Sequence, residues 1–323
     1  MPSQLHRFRV TVLAILLSVC AAWSTRADDA PAKDGAKDAA SDKEYEVKIA
    51  RKIDVGTKYA LTADGALIRQ VSLTVGGQTS NQPDDGYGIH LEGTVEVLEL
   101  DAIGEEAKVS CTVDKCTRIT SKGQKELVPK GKVIIAEGKG KDTHFSLKDG
   151  GELSKEASEA LDLAISLDTG DEYTDDEMFG TKQKQKVGSS WAVDGEKVAK
   201  DARRVGVIVK PEDVEGSFRL DGLEKAGDVE CLKVSGSLKM KRLDRKDDED
   251  DGLPEGFSVE TGSMEAKYGG LFPVDPSVGS LSESASMTFV TKVKGKGGTN
   301  KKQDVTVESK VQRAAEMRRR FLK

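Results

Sequence analysis

The sequence is poor in the residues that chemistry most often needs. Histidine occurs three times and cysteine four times in 323 residues, and aromatic side chains make up 5%. There is no CxxC pair, which excludes redox and zinc sites of that type. Neither HExxH nor GxxxxGK[ST] spacing occurs, which removes a zinc protease and a P-loop. No succession of apolar runs near the roughly 20 residues of a spanning helix is present, so a multi-span membrane protein is excluded. A basic excess is missing too. Lys and Arg number 50 against 56 Asp and Glu, with pI ≈ 5.4, unlike a nucleic-acid binder. A net charge of −6 is too small for this length to enforce global disorder.

The N-terminus reads as an export signal over residues 1–27. His6, Arg7 and Arg9 are basic, Val10 to Ala22 is apolar but for Thr11, Ser18 and Cys20, and Thr25-Arg26-Ala27 offers small residues for cleavage. The apolar run is too short to cross a bilayer as a helix. An uncleaved anchor is one alternative. Lipidation at Cys20 is another, because Leu17-Ser18-Val19-Cys20 is similar to a lipobox, with Val19 where a small residue is usual. Cleavage after Ala27 leaves 47 basic against 56 acidic residues. The expected location is therefore exported, periplasmic or secreted, with no transmembrane span in the mature chain. Residues 28–43 are Ala, Asp, Lys, Gly, Ser and Pro, with nothing to bury, and read as a disordered linker. Residues 309–323 read as a basic tail, a short helix or a frayed end.

Between them the dominant pattern has period two. Val47 and Ile49, then Leu67, Val71, Leu73 and Val75, then Ile89, Leu91, Val95 and Val97 alternate with polar neighbours. Such runs make strands with one dry and one wet face. About a dozen are expected, with hairpin turns at Ile103–Glu106 and Lys225–Asp228. One stretch has helical spacing, Leu153, Ala157, Leu161 and Ile165, and predicts a helix over 152–167. The fold class expected is mainly β: an antiparallel curved sheet or open barrel from two related halves, 44–180 and 181–308, with one central helix.

The halves echo one another. Val55-Gly56-Thr57-Lys58-Tyr59 matches Val187-Gly188-Ser189-Ser190-Trp191, and Gly93-Thr94-Val95 through Cys111 matches Gly216-Ser217-Phe218 through Cys231. Together with Met178-Phe179-Gly180, the Lys186–Trp191 run and Gly216–Leu220, this resembles exported bacterial β-rich proteins of unknown function. Those combine a signal peptide, a low-complexity tether and a Val-Gly-x-x-Trp/Tyr element before a Gly-started hairpin. The resemblance spans about residues 44–308. It implies no activity and carries no catalytic residue over.

Candidate chemistry is sparse. His90, between Ile89 and Leu91, is expected on the wet side of its strand, and His144 on the surface; neither has triad spacing. Cys111 and Cys231 share phase with apolar neighbours and are expected to be buried, with a disulfide between them as an option in an oxidising compartment. Cys116 falls in the opposite phase if its strand is regular. The acidic runs 168–177 and 244–255 read as solvated loops, since aligning Gly252 with an EF-hand glycine puts Ser258 where Glu is required. The Gly-Lys stretches at 138–141 and 292–302 read as surface hairpin loops. Neither a metal nor a cofactor is implied, and no catalytic residue is assigned. The expected role is a non-enzymatic exported envelope protein that binds an apolar ligand in a cavity lined by residues such as Leu73, Val97 and Leu220. The alternatives are a protein–protein interaction or scaffold module, and a hydrolase in which His90 or His144 meets carboxylates in a cleft.

Overall fold

A computed structural model of the chain describes residues 43–169, 172–204, 206–245, 256–297 and 303–322. The export signal and nearly all of the linker lie outside them. The strands are β1 (Lys58–Val75), β2 (Gln78–Asn81), β3 (Asp85–Leu100), β4 (Glu106–Thr120), β5 (Gly123–Glu126), β6 (Val133–Lys139), β7 (Asp142–Leu147), β8 (Ser190–Ala192), β9 (Val207–Ile208), β10 (Val214–Ala226), β11 (Val229–Met240), β12 (Asp244–Arg245), β13 (Phe257–Pro273), β14 (Ser282–Gly297) and β15 (Gln303–Phe321). The helices are α1 (Lys155–Leu161), α2 (Asp175–Met178) and α3 (Gly195–Arg204). Thirteen strands form one antiparallel sheet in the order β7-β6-β4-β3-β1-β15-β14-β13-β11-β10-β8, with β2 also on β1 and β5 also on β4; β9 pairs with β12. The sheet is open, with β7 and β8 as its ends.

Alternation decides which face is dry. In β3, Ile89, Leu91, Val95 and Val97 are fully buried, while His90, Glu92, Thr94 and Glu96 point to the other side. Each such side chain contributes roughly 1.5–3 kcal/mol on leaving water. The inner face is covered in two places. Beside β1, β3, β4 and β6 it meets α1 and the segment Leu163–Leu167, forming a first core. Beside β10, β11 and β13 it meets Tyr45–Ile49, α2 and α3, forming a second.

Several expectations need correcting. The helix over 152–167 shortens to α1, capped by the Ser154 hydroxyl, which accepts from the Ala157 N–H at 3.2 Å. Beyond Leu161 the apolar residues are nearly continuous and stay buried without continuing the helix. Leu163 crosses β1 so closely that a Cβ at Gly65 would stand 2.7 Å from Leu163 Cβ, so glycine is required there. α3 went unforeseen because its buried stripe is only Val198, Ala199 and Ala202 with Asp201 among them. The basic tail is neither helical nor frayed: residues 309–321 are the second half of β15, paired with β1 from Tyr59↔Phe321 onward. Lys292–Gly297 belongs to β14; 298–302 and most of the second acidic run lie outside the described residues.

The two echoed elements make the same hydrogen bonds. Gly56 N–H donates to Val97 O (2.8 Å) and Val97 N–H to Thr57 O (3.0 Å); Gly188 N–H donates to Leu220 O (2.7 Å) and Leu220 N–H to Ser189 O (3.0 Å). Both glycines have φ near +90°, at 86° and 89°, a region other residues rarely adopt. Tyr59 then faces Val95 and Trp191 faces Phe218. The likeness stops at the cysteines: Cys111 faces Val95, whereas Cys231 faces Glu224.

The Cys111–Cys231 disulfide is not formed. Cys111, Cys116 and Cys231 are all free and buried. β4 and β11 stand six places apart in the sheet, and Cys111 faces Val95 while Cys231 faces Glu224. Cys116 is buried against expectation because β4 bulges: Glu92 faces Lys115 and Gly93 faces Val113, so Asp114 is an extra residue that flips the phase. Burial pushes the Cys111 thiol up to about 12 and the Cys116 thiol to about 11. A maleimide at pH 8 should therefore leave all three unmodified in the folded chain lacking residues 1–27 and label all three in denaturant. A mass for one internal disulfide would contradict the assignment.

Candidate functional site

The inner face between and beyond the two cores is floored by β14 and β15, which pair without a register shift from Ser282↔Arg318 to Gly297↔Gln303. Because partners across a ladder share a face, the pairings order the floor row by row. Nearest the free strand ends lie Val75, Val305 and Phe257, beside Gly295; next come Leu73, Val307, Val293 and Val259. Val71 follows, then Arg69, Val311, Phe289 and Met264. Val71, Leu73, Val75, Val307 and Val311 are half-buried, and none belongs to either core. The opposite face of the same strands is polar, with Thr74, Thr306, Lys294 and Ser258 in one row.

Further in, the same phase brings charge under the covers. Arg313 faces Leu67 on one side and Met287 on the other; its Nη2 donates to the backbone oxygen of Asp162 and to its carboxylate at 3.2 Å. Burial pushes the Asp162 carboxyl up, and Arg313 opposes that shift. The Arg313 Nε is buried with no hydrogen-bond partner.

Two residues on, past Ala315, and two more past Met317, comes Arg319. Its Nη1 donates to Ser280 Oγ (2.7 Å) and Glu283 Oε1 (3.0 Å), its Nη2 stands 3.7 Å from Glu106, and Tyr59 Oη donates to Glu106 at 2.9 Å. The Ser280 hydroxyl also donates to Glu283. Burial pushes the Glu283 carboxyl and the Tyr59 phenol up. For Arg319, burial disfavours the cation, but Tyr59, Glu106 and Glu283 outweigh it and the pKa is raised.

This cluster lies on a seam: Met287 packs with the second core, Ala315 and Met317 with the first. A cavity of about 110 Å³ opens there, bounded by Ile49, Leu163, Glu106, Glu283 and Arg319. A smaller one, about 30 Å³, lies against Phe218, Tyr268, Met287 and Arg313.

The residues singled out by sequence fall elsewhere. Val97 is in the first core, Leu220 in the second and Leu73 outside both, so they line no common cavity. His144 is exposed on β7. His90 is on the wet face but not isolated: Nδ1 lies 2.7 Å from Asp64 and Nε2 2.7 Å from Glu92. Partial burial lowers its pKa, yet the two carboxylate hydrogen bonds prevail and raise it above 6.5, while the imidazole holds Glu92 below the usual carboxylate range. Within the first acidic run, Asp168 is half-buried and takes a two-pronged bond from Arg204 (2.9 and 2.8 Å), and Thr174 and Glu177 cap α2. Arg69, Glu283, Arg313 and Arg319 escaped the sequence reading. Their signal was legible: the odd-numbered phase of Val305, Val307 and Val311 runs on through Arg313, Ala315, Met317, Arg319 and Phe321.

No family model matches the chain, and no curated protein matches it. Among solved structures, a lipovitellin from a study of lipid–protein interactions aligns with 82% of this chain at 8% identity and a TM-score of 0.31. The chain spans 25% of that lipovitellin chain. A DUF1329 family protein from Desulfovibrio piger aligns over 76% of this chain and 83% of its own, at 8% identity and TM-score 0.18. The outer membrane protein OprG from Pseudomonas aeruginosa aligns over 84% of this chain and 99% of its own, at 8% identity and TM-score 0.17. Likenesses at this level carry no functional argument. Among the described residues no helix is long and apolar enough to cross a membrane, which leaves strand-built spans unaddressed.

Removing one side of the buried cluster should be costly. Arg319→Met leaves Glu283 buried without its cation and should lower stability in urea by about 3–5 kcal/mol. Adding Glu283→Gln should restore part of the loss; a single variant as stable as wild type would contradict the burial. For His90 the folded state favours the imidazolium. Its contribution is thus complete below pH 6.5 and fades as pH rises through the higher folded value. The stability advantage of wild type over His90→Gln should therefore shrink between pH 6 and pH 8; growth over that range would show the opposite shift.

Proposed function

We propose that this is a non-enzymatic exported protein that holds the apolar part of a small ligand on the inner face of β1 and β15, around Val71, Leu73, Val307 and Val311. The supporting observation is the apolar surface of Val71, Leu73, Val75, Val307 and Val311, half-buried and outside both cores. A soluble sheet normally covers such a face with a second layer. The seam cavities are small, at about 110 Å³ and 30 Å³, below the roughly 150 Å³ that admits a single benzene-sized ligand. Export is supported by residues 1–27.

Neither alternative has comparable support. A hydrolase needs an imidazole nitrogen free to move a proton, and both nitrogens of His90 are engaged by carboxylates. Docking of a partner strand has a free edge on β10 beyond Asp221, where Leu223 is exposed. Glu224 and Lys225 flank that position, the charge pattern that blunts an edge.

A titration with the neutral fluorophore N-phenyl-1-naphthylamine should saturate. The double variant Val307→Thr/Val311→Thr keeps β-branched shape but adds two hydroxyls to the face. It should bind about tenfold more weakly with its urea midpoint nearly unchanged. Absence of saturable binding, or equal affinity in the double variant, would remove the proposal.

A further inference from the structure

The open face is not apolar throughout. Where it meets the covered part of the sheet, two arginines stand on adjacent strands. Arg69 faces Val311 and Leu67 faces Arg313, so Arg69 and Arg313 are diagonal neighbours on the inner face, about 7–8 Å apart at their Cβ atoms. Arg69 is exposed and makes no hydrogen bond or ion pair among the described residues. Asp85 sits opposite it across β1 and β3 without forming an ion pair. Arg313 is mostly buried, at 14% exposure of its side chain, bonds Asp162 through one nitrogen and has its Nε sealed from the surface, so Arg69 is the accessible cation of the two. A cation left unpaired beside an apolar surface is what an anionic head group with a hydrocarbon tail would complement. Guanidinium is the side chain suited to carboxylate and phosphate oxygens.

The tail has a track. From Val311 to Val307 along β15 is about 13 Å at ~3.3 Å per residue, bordered by Val71 and Leu73 on β1; beyond it Val305 and Val293 are buried.

We infer that the ligand is a single-chain anionic amphiphile, its head group held by Arg69 where the open face meets the covered part, and its tail laid along β15 over Val311 and Val307. This rests on the apolar-face reading above and adds the head-group chemistry to it.

The test compares dodecanoate, dodecyl phosphate and 1-dodecanol, each kept below its aggregation concentration, as competitors of N-phenyl-1-naphthylamine at pH 8. Wild type should favour both anions over the alcohol by about tenfold. Arg69→Gln should cut that preference to about threefold or less without changing the affinity for dodecanol, and Arg69→Glu should abolish it. Raising the salt concentration should narrow the preference in wild type and not in Arg69→Gln. Equal affinity for anion and alcohol in wild type, or a preference that survives Arg69→Glu, overturns the head-group assignment and leaves the apolar face standing. Failure of all three to compete overturns both. Binding to anionic vesicles but to none of the dissolved amphiphiles points to a membrane surface and likewise overturns the inference.

Discussion

The structure depends on one strand keeping its phase. β15 runs from Gln303 to Phe321 without a bulge against either β1 or β14. Its inner side therefore presents, in sequence, Val305, Val307, Ser309, Val311, Arg313, Ala315, Met317, Arg319 and Phe321. A single slip of one residue would exchange this set for the even-numbered phase, Asp304, Thr306, Glu308, Lys310, Gln312, Ala314, Glu316, Arg318 and Arg320. One unbroken alternation thus sets out the open apolar face, the diagonal arginine pair, the floor of both cores and the buried cation at the seam. It also joins the halves of the sheet, since β1 is the last strand of one and β15 the first of the other.

Burying Arg319 is the principal cost of that arrangement. Ion pairs in the interior often contribute less than the apolar residues they replace. Here Ser280, Glu283 and Glu106 surround the Nη nitrogens and Tyr59 lies with its ring 5.3 Å away, which offsets part of the cost, while Nε is buried without a partner. What the cluster supplies is register. Arg319 meets Glu283 only if β14 and β15 are aligned as they are, and it meets Glu106 only if β4 has come across from the other half. Apolar side chains alone would tolerate neighbouring alignments more readily. The price of that specificity is a cavity between the covers that neither core fills.

Much of the fold was legible. Period-two runs in β1, β3, β11 and β14 mark two-sided strands, and positive-φ glycines at Gly104 and Gly227 fall in the hairpin turns expected from composition. The matching hydrogen bonds of Gly56 and Gly188 were foreshadowed by a shared Val-Gly-x-x-aromatic pattern. Other features were hidden by particular physics. The bulge at Asp114 cannot be read from periodicity, so Cys116 was put on the wrong face. α1 was overextended because Leu163, Ala164, Ile165 and Leu167 are all buried and extend the apolar stripe of the helix past its end. The end of β15 reads as a tail in composition because its arginines cluster at 318–320, although in phase Val311, Ala315, Met317 and Phe321 continue the apolar alternation. The seam was invisible for a different reason: it brings residues 106, 283 and 319 together, and no local pattern announces a contact so distant in sequence.

The most direct test is thiol accessibility along β15, since the native cysteines are buried and silent. Single substitutions Val307→Cys, Val311→Cys, Ala315→Cys and Met317→Cys would be compared for their rate of reaction with a small maleimide in the folded chain. An open face predicts fast labelling at 307 and 311 and slow labelling at 315 and 317. Equal protection at all four would mean that a second layer covers the strand ends, and the binding surface argued from them would not exist.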